Sequence, residues 1–237
     1  MSAGNRRVAV LAPMRQELRP LLRPLALRRV HSDSNALFSG ALGELQIVAA
    51  ITGIGMRAGA QAAERVLDSG RVDHLVVVGI AGGIGSRVAI GDLVVPERVI
   101  DLASGAEHRP ARTGDATPRG TLVTSDRLIV DAEEIAGLAD GGAIAIDMET
   151  AAIAAVCERR GCAWSVFRAI SDRAGDAAID LDVLSLAGSD GRPELRALAR
   201  YLLARPRRLF DLARLARGMT RATRVAASAA LEALARA

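Results

Sequence analysis

Aromatic side chains make up only 2% of the 237 residues, so stacking cannot be the main grip on any planar ligand. The chain also has no lysine: all 31 basic residues are arginine, which reads as a genome-wide composition bias because no single site would require it. Two cysteines, Cys157 and Cys162, are too few for a disulfide framework and lack metal-ligand spacing. They read as small core hydrophobes in a protein of a reducing, cytoplasmic compartment. The three histidines, His31, His74 and His108, lie far apart, and no His, Asp and Glu cluster has ligand spacing, so no metal is expected. No apolar run reaches the roughly 18 residues of a membrane span. The opening MSAGNRRVAVLAP lacks the apolar stretch and small-residue cleavage site of a secretory leader, and Val8 to Leu11 reads instead as a buried first strand.

What is present is half hydrophobic, with a mean hydropathy of +0.23, arranged in short Val/Ile/Leu/Ala runs punctuated by glycine. That length buries a sizeable core in one large domain. Charge is unevenly spread. From Arg192 onward there are eleven arginines against Glu194, Asp211 and Glu232, a net +8; the whole chain being +4, the first 191 residues carry −4. A core of that sign is not a nucleic-acid footprint.

Continuous apolar runs predict strands at Val8 to Leu11, Leu45 to Ile51, His74 to Val78, Leu93 to Val95, Ala143 to Ile146 and Trp164 to Ile170. Apolar residues at spacings of three and four predict helices over Met14 to Leu25, Arg57 to Leu67, Asp126 to Leu138 and Glu149 to Arg160. Such alternation predicts a three-layer α/β/α sandwich with a mixed, largely parallel central sheet. Ligands in such folds sit beyond the carboxyl ends of strands. Residues 103–120 form a Gly/Pro-rich loop, either a plain crossover or a substrate lid, and it holds His108. From Pro193 the pattern is wholly helical, with Pro206 dividing two helices. The expected organisation is a catalytic domain over 1–191 and a basic amphipathic helical extension over 192–237. In its second helix Leu212, Leu215, Met219 and Ala222 line one stripe and Arg214, Arg217, Arg221 and Arg224 the opposite one.

Two glycine-rich turns follow strands, ITGIGMRAG at 51–59 and VGIAGGIG at 78–85. The first approximates a dinucleotide fingerprint, which would make the protein an NADP-binding Rossmann oxidoreductase. The acidic residue such enzymes need about twenty positions on is missing: the next strand runs through Val76 to Val78 into Gly79 and Ile80. The glycines do allow backbone amides close to an oxyanion or a ribose.

The segments VAVLAPMRQELRPLL, AAITGIGMRAGAQAAERVL, VVVGIAGGIGSRVAIGDLVVPERV, LVTSDRL and AIDMETAAIAAVCERRGCAWSVFRAISD, in that order over residues 7–185, resemble the nucleoside phosphorylase and nucleosidase family. The resemblance implies an enzyme that breaks the N-glycosidic bond of a purine nucleoside, without a cofactor beyond inorganic phosphate as a possible co-substrate. It assigns Asp172 as the acid that protonates the leaving purine, with Ser171 orienting it, and Glu17 as the base that activates water. Glu149 matches the carboxylate on the ribose hydroxyls and Met148 the side chain beneath the sugar. Asp147, Ile80, Ala81, Gly82, Leu128 and Ile129 fall at the remaining substrate positions, and Gly53, Arg168 and Arg15 at positions that could hold phosphate.

Chemistry agrees with these assignments. Cleavage passes through an oxocarbenium-like sugar and leaves charge on the base, so a proton donor is needed there. A carboxylate fits a vicinal diol bidentately, and a thioether is an adaptable apolar floor.

Departures from the family narrow the branch. Ile80 replaces a small hydroxyl residue, Leu128 an aromatic, and Asp147 a glutamate. The stretch DGRPELRALARYLLARPRRLFDLARLARGMTRAT is similar to the C-terminus of the hopanoid-biosynthesis nucleoside phosphorylases, which remove adenine from adenosylhopane to give ribosylhopane. Methylthioadenosine or S-adenosylhomocysteine is the alternative substrate, and a non-catalytic nucleotide-binding or lipid-associated module the alternative class. A lipid-linked nucleoside would sit in a membrane, where a basic amphipathic helix reaches an anionic leaflet. The same helix could instead pack on the core or on a second subunit of the homo-oligomer the resemblance implies.

Overall fold

The computed structural model describes residues 6–30, 37–175 and 208–236. His31, Arg192 and Pro206 lie outside them.

Eleven strands form one mixed sheet: β1 (Arg7–Ala12), β2 (Arg28–Arg29), β3 (Leu37–Leu42), β4 (Leu45–Ile51), β5 (His74–Gly83), β6 (Leu93–Val94), β7 (Arg98–Asp101), β8 (Glu107–His108), β9 (Thr121–Thr124), β10 (Ala143–Asp147) and β11 (Ala163–Arg173). The order is β2-β3-β4-β1-β5-β10-β9-β7-β8, with β11 on β5 and β6. Strand β5 is the hub. Its residues 74–77 run parallel to β1, its full length runs parallel to β11, and its last residues Gly82 and Gly83 pair antiparallel with Ile146 and Ala145 of β10. One edge of β5 thus changes neighbour from β1 to β10, and a crevice opens where they part. Such a switch point at strand ends is where α/β sheets bind ligands.

Both faces of the sheet are covered, which is why the central strands read as continuous apolar runs. In β1, Ala9 and Leu11 face one core while Val8, Val10 and Ala12 face the other; Leu75 and Val77 of β5 alternate in the same way with Val76 and Val78. The first face is covered by α2 (Met56–Asp68) and α4 (Thr150–Arg159), and it includes Cys157 and Cys162. The second is covered by α1 (Arg15–Leu18), a 3-10 turn (Arg19–Leu21) and α5 (Arg208–Ala235). Helix α3 (Ala132–Asp140) packs Ile135, Leu138 and Ala139 over a smaller patch of Ile84, Val123 and Ala143.

Several elements differ from expectation. The helix expected over Met14 to Leu25 lasts one turn and tightens into the 3-10 segment, because Pro20 and Pro24 lack the amide protons a longer helix needs. The helix expected from Asp126 begins at Ala132, where Asp131 caps it by accepting from the Glu134 N–H at 2.8 Å. Strands β2, β3, β7, β8 and β9 were not expected; none of them is a continuous apolar run, and all but β3 are no longer than four residues. Loop 103–120 contains β8 and then crosses the starts of the strands: the Ala111 N–H donates to the Trp164 carbonyl, and Thr113 meets His74. That is the end opposite the crevice, so the loop is a crossover and not a lid. His108 pairs its Nδ1 with Glu158 at 2.7 Å, on the end of α4.

Helix α5 is continuous from Arg208 and buries Ala222, Ala226, Ala230, Ala233 and Leu234 against the sheet. The expected boundary at 191/192 lies outside the described residues; the helix beyond it is part of the second core. No helix among the described residues is long and apolar enough to cross a membrane.

Candidate active site

Four strand ends surround one cavity of about 190 Å³. After β1 the chain turns at Pro13 and Met14 into α1, whose single turn carries Glu17 inward until it is 1% exposed. The Glu17 carboxylate accepts two backbone N–H groups, Met14 at 2.7 Å and Ile80, at the end of β5, at 2.8 Å. A side chain at Gly79 would meet Glu17 Oε1 and Arg168 Nη1, both 2.4 Å from its Cβ, so this strand end admits only glycine. Ile80, Ala81 and Gly82 border the cavity beside it.

Strand β10 delivers Asp147, Met148 and Glu149 just before α4, and all three reach the cavity wall. Their carboxylates have different fates. Asp147 Oδ1 accepts from Thr124 Oγ1 at 2.7 Å and from the Thr150 N–H at 3.3 Å, while Oδ2 takes the Thr150 hydroxyl and Arg168 Nη2 at 2.6 Å. With both oxygens engaged inside the protein, the Asp147 side chain braces the turn from the cavity wall. Glu149 is held more loosely: Oε1 accepts the Gly55 N–H at 2.9 Å and Oε2 takes Arg168 at 3.2 Å, so each oxygen keeps a lone pair for a ligand. Gly55 sits at φ 101°, a backbone region that favours glycine. Its turn is therefore committed to Glu149, and the Cβ of Glu149 would also meet one at Gly59, at 3.1 Å. The nearby glycines that suggested a dinucleotide instead receive Glu149, Gly55 through its N–H and Gly59 by leaving room for its Cβ.

Strand β11 supplies Ser171 and Asp172. The Ser171 hydroxyl donates to Asp172 Oδ1, and Asp172 is half-buried on the cavity wall. Leu128 and Ile129 close the cavity from the segment before α3, with Ile54 and Val130 at its mouth.

The three residues expected to hold phosphate do not border it. Gly53 donates its N–H to the Pro13 carbonyl, Arg15 is exposed at the start of α1, and Arg168 lies fully buried behind the carboxylates. Arg168 also donates to Thr150 Oγ1 at 3.1 Å and to the Ile80 carbonyl at 3.3 Å.

One guanidinium faces three buried carboxylates, and the balance sets their protonation. Burial works against charge on Arg168, yet Asp147, Glu149 and Glu17 outweigh it and hold the guanidinium above its ordinary range. Burial pushes Glu17 from 4.5 up to about 7, opposed chiefly by Arg168. Glu149 is raised likewise by burial, with Arg168 opposing and Asp147 adding. A single cation cannot neutralise three carboxylates in a dry site, so the cluster keeps protons near neutrality. Among the described residues no group of three His, Cys, Asp or Glu side chains is placed to hold a metal.

Sequence reading missed Gly55, Gly79, Thr124 and Thr150. Gly55 and Gly79 lay in the glycine-rich turns, but their partners are far away in the chain. Thr124 and Thr150 carried no signal beyond lying in the matched segments.

The buried carboxylates converging on a strand-end crevice of an α/β sandwich, taken with the family match and the relatives, make this an enzyme that cleaves N-glycosidic bonds, a nucleosidase or nucleoside phosphorylase. The chain belongs to the phosphorylase superfamily, whose family model matches residues 7–117 and 101–200. It is 29% identical over 204 residues, covering 73% of this chain and 87% of the relative, to the 5′-methylthioadenosine/S-adenosylhomocysteine nucleosidase of an Exiguobacterium species. Among solved structures the fold matches the nucleosidase of that name from Neisseria meningitidis, crystallised with methylthio-immucillin-A, at a TM-score of 0.75 and 20% identity over 98% of this chain and 100% of that one. It also matches a futalosine hydrolase of Helicobacter pylori, at a TM-score of 0.73 and 16% identity over 98% and 99% of the two chains.

Proposed function

We propose that the protein hydrolyses the N-glycosidic bond of a 5′-substituted adenosine and releases adenine, with adenosylhopane, converted to ribosylhopane in hopanoid biosynthesis, as its preferred substrate. The observation that carries the reaction is the convergence of Glu17, Glu149 and Asp172, from three separate strand ends, on one cavity. Glu149 uses its spare lone pairs on the ribose 2′- and 3′-hydroxyls, and Met148 packs beneath the sugar. Asp172, oriented by the Ser171 hydroxyl on its Oδ1, supplies the proton that passes to the purine as the bond to the sugar breaks. Glu17, with a pKa of about 7, takes a proton from the attacking water.

Water is favoured over phosphate by the use made of the cations. Arg168 is consumed by Asp147, Glu149 and Thr150, and the two arginines on the cavity wall are engaged elsewhere, Arg127 by Glu134 and Arg173 by the Gly85 and Val88 carbonyls, so no guanidinium is set as a clamp for a phosphate dianion beside the carboxylates. The lipid-linked substituent is supported by the C-terminal sequence resemblance and by the apolar mouth, where Ile54 is 43% and Val130 60% exposed. In the same reading the exposed Arg217 and Arg224 of α5 meet the inner leaflet as a peripheral contact, and a second subunit of a homo-oligomer completes the site. The nucleosidase relatives favour methylthioadenosine or S-adenosylhomocysteine as the alternative substrate.

Adenine release from adenosylhopane, methylthioadenosine and S-adenosylhomocysteine, each with and without phosphate, tests the reading. Release from adenosylhopane at the highest kcat/KM, independent of phosphate, is expected. A preference for the smaller nucleosides moves the assignment to the alternative, and a phosphate requirement removes Glu17 as the base.

A further inference from the structure

Gly218 begins a stripe on α5 that continues at Ala222, Ala226 and Ala230, all buried against the sheet. Alanine serves at the later positions, but at 218 even a methyl group has no room: a Cβ there would lie 2.3 Å from the Ser171 carbonyl oxygen and 3.3 Å from Ile90 Cγ2. An interior glycine weakens a helix relative to alanine, so its presence answers to this contact.

We infer that Gly218 is a positioning residue for Asp172, acting through the Ser171 carbonyl on which α5 rests. This rests on the reading of Asp172 as the acid. Ser171 is the extra residue of a β-bulge, because Ile170 pairs with Ala81 and Asp172 with the next residue, Gly82. Bulges beside active sites re-aim the following side chain. This one is pinned along the sheet: the Gly91 N–H donates to the Ile170 carbonyl at 2.7 Å, the Ile170 N–H to the Asp92 carbonyl at 2.9 Å, and the Ser171 hydroxyl lies 3.4 Å from the Ala81 carbonyl. Helix α5 closes the remaining direction. One turn beyond Gly218, the Arg221 side chain covers Gly91, where a Cβ would lie 2.4 Å from Arg221 Nε. The helix therefore holds both the bulge and the turn that pairs with it, and the tilt of Asp172 towards the cavity depends on how closely α5 approaches.

Clearing the clash requires the helix and the carbonyl to separate by roughly 1 Å, a displacement that can cost up to about 100-fold in rate when it reaches a reacting group. Gly218→Ala should lower kcat for adenine release by about 10- to 100-fold while KM stays within about threefold, because Glu149 and Met148, which bind the sugar, stand on another strand. Gly137→Ala is the control: Gly137 is exposed in α3 with nothing within 4 Å of an added Cβ, so this variant should melt higher and keep wild-type kinetics.

The assay uses the full chain with adenosylhopane or methylthioadenosine, whichever the wild type cleaves faster. If Gly218→Ala does not fold, Arg221→Ala takes its place, and should lower kcat at unchanged KM. Wild-type kcat in folded Gly218→Ala, or in Arg221→Ala where it is the substitute, overturns the inference. Asp172→Asn separates this from failure of the wider reading. If Asp172→Asn retains wild-type turnover, the acid assignment and the inference built on it both fall; if it is inactive while Gly218→Ala is unimpaired, only the role of Gly218 falls.

Discussion

Glu17→Gln should leave the protein nearly inactive, with a stability relative to wild type that rises with pH. A carboxyl whose pKa rises from 4.5 to about 7 on folding binds more protons folded than unfolded between those values, so stability falls as pH climbs through that window. Fully developed above pH 7, the penalty is about 3 kcal/mol. Glutamine matches the protonated acid in shape and keeps a carbonyl oxygen for one of the two N–H donors, Met14 or Ile80. The other donor is left facing an amide, which subtracts about 1–3 kcal/mol at every pH. The variant's stability relative to wild type should therefore improve by about 3 kcal/mol between pH 4.5 and pH 8, whatever the constant offset. Urea unfolding of both proteins across that range measures it, and adenine release should fall at least about 100-fold with the base removed. Parallel stability curves would refute the account of Glu17 as a carboxylate held near neutrality by burial.

Three further outcomes follow from the same cluster and from α5. Arg168→Met leaves Asp147, Glu149 and Glu17 without their cation and should destabilise by about 3–5 kcal/mol at pH 8 and less at pH 5, where protons can take its place; urea unfolding at the two pH values checks this. Glu149→Gln should raise KM for the nucleoside at least about tenfold, whereas Asp172→Asn should lower kcat at least about 100-fold with KM little changed; initial-rate adenine release separates the two. Because α5 is built into the core, deleting it would confound a membrane test, so the exposed arginines are the better target. Arg217→Gln with Arg224→Gln should cut co-sedimentation with anionic vesicles and leave thermal stability within about 0.5 kcal/mol, and equal pelleting would remove the membrane contact.

The layered fold was legible because β1, β5 and β10 are buried on both faces and so appear as unbroken apolar runs, and β11 as a run interrupted only by Ser165 and Arg168 between Trp164 and Ile170. Strands such as β3 and β7 were not, since LFSGAL and RVID mix polar and apolar residues and take their identity from partners elsewhere in the chain. Glu17, Met148, Glu149 and Asp172 could be named because they stand at or shortly after the ends of strands, in segments whose order resembles a family. What holds them could not. The Gly55 N–H reaches Glu149 across 94 residues of sequence, and Thr124 reaches Asp147 across 23; no local pattern encodes either bond. Asp147 shows the limit from the other side. Its position beside Glu149 suggested a shared task, but its side chain ends among Thr124, Thr150 and Arg168, where it organises the turn that Glu149 needs.

The geometry of the sheet and the chemistry of the site have one origin. When β5 passes from β1 to β10, the ends of four strands are left around a crevice, and the first turns of α1 and α4 carry Glu17 and Glu149 into it. Burying two carboxylates there is costly, and Arg168 offsets only part of that cost because it also serves Asp147. The residue of the imbalance appears as protons retained near pH 7, which is the condition a base needs in order to accept a proton and give it up again at neutral pH. Moving Arg168 into the open cavity would leave the carboxylates more basic still and would create the cationic clamp that phosphate requires. Its full burial behind them therefore tunes the base and withholds that clamp in one placement, and supports water as the nucleophile.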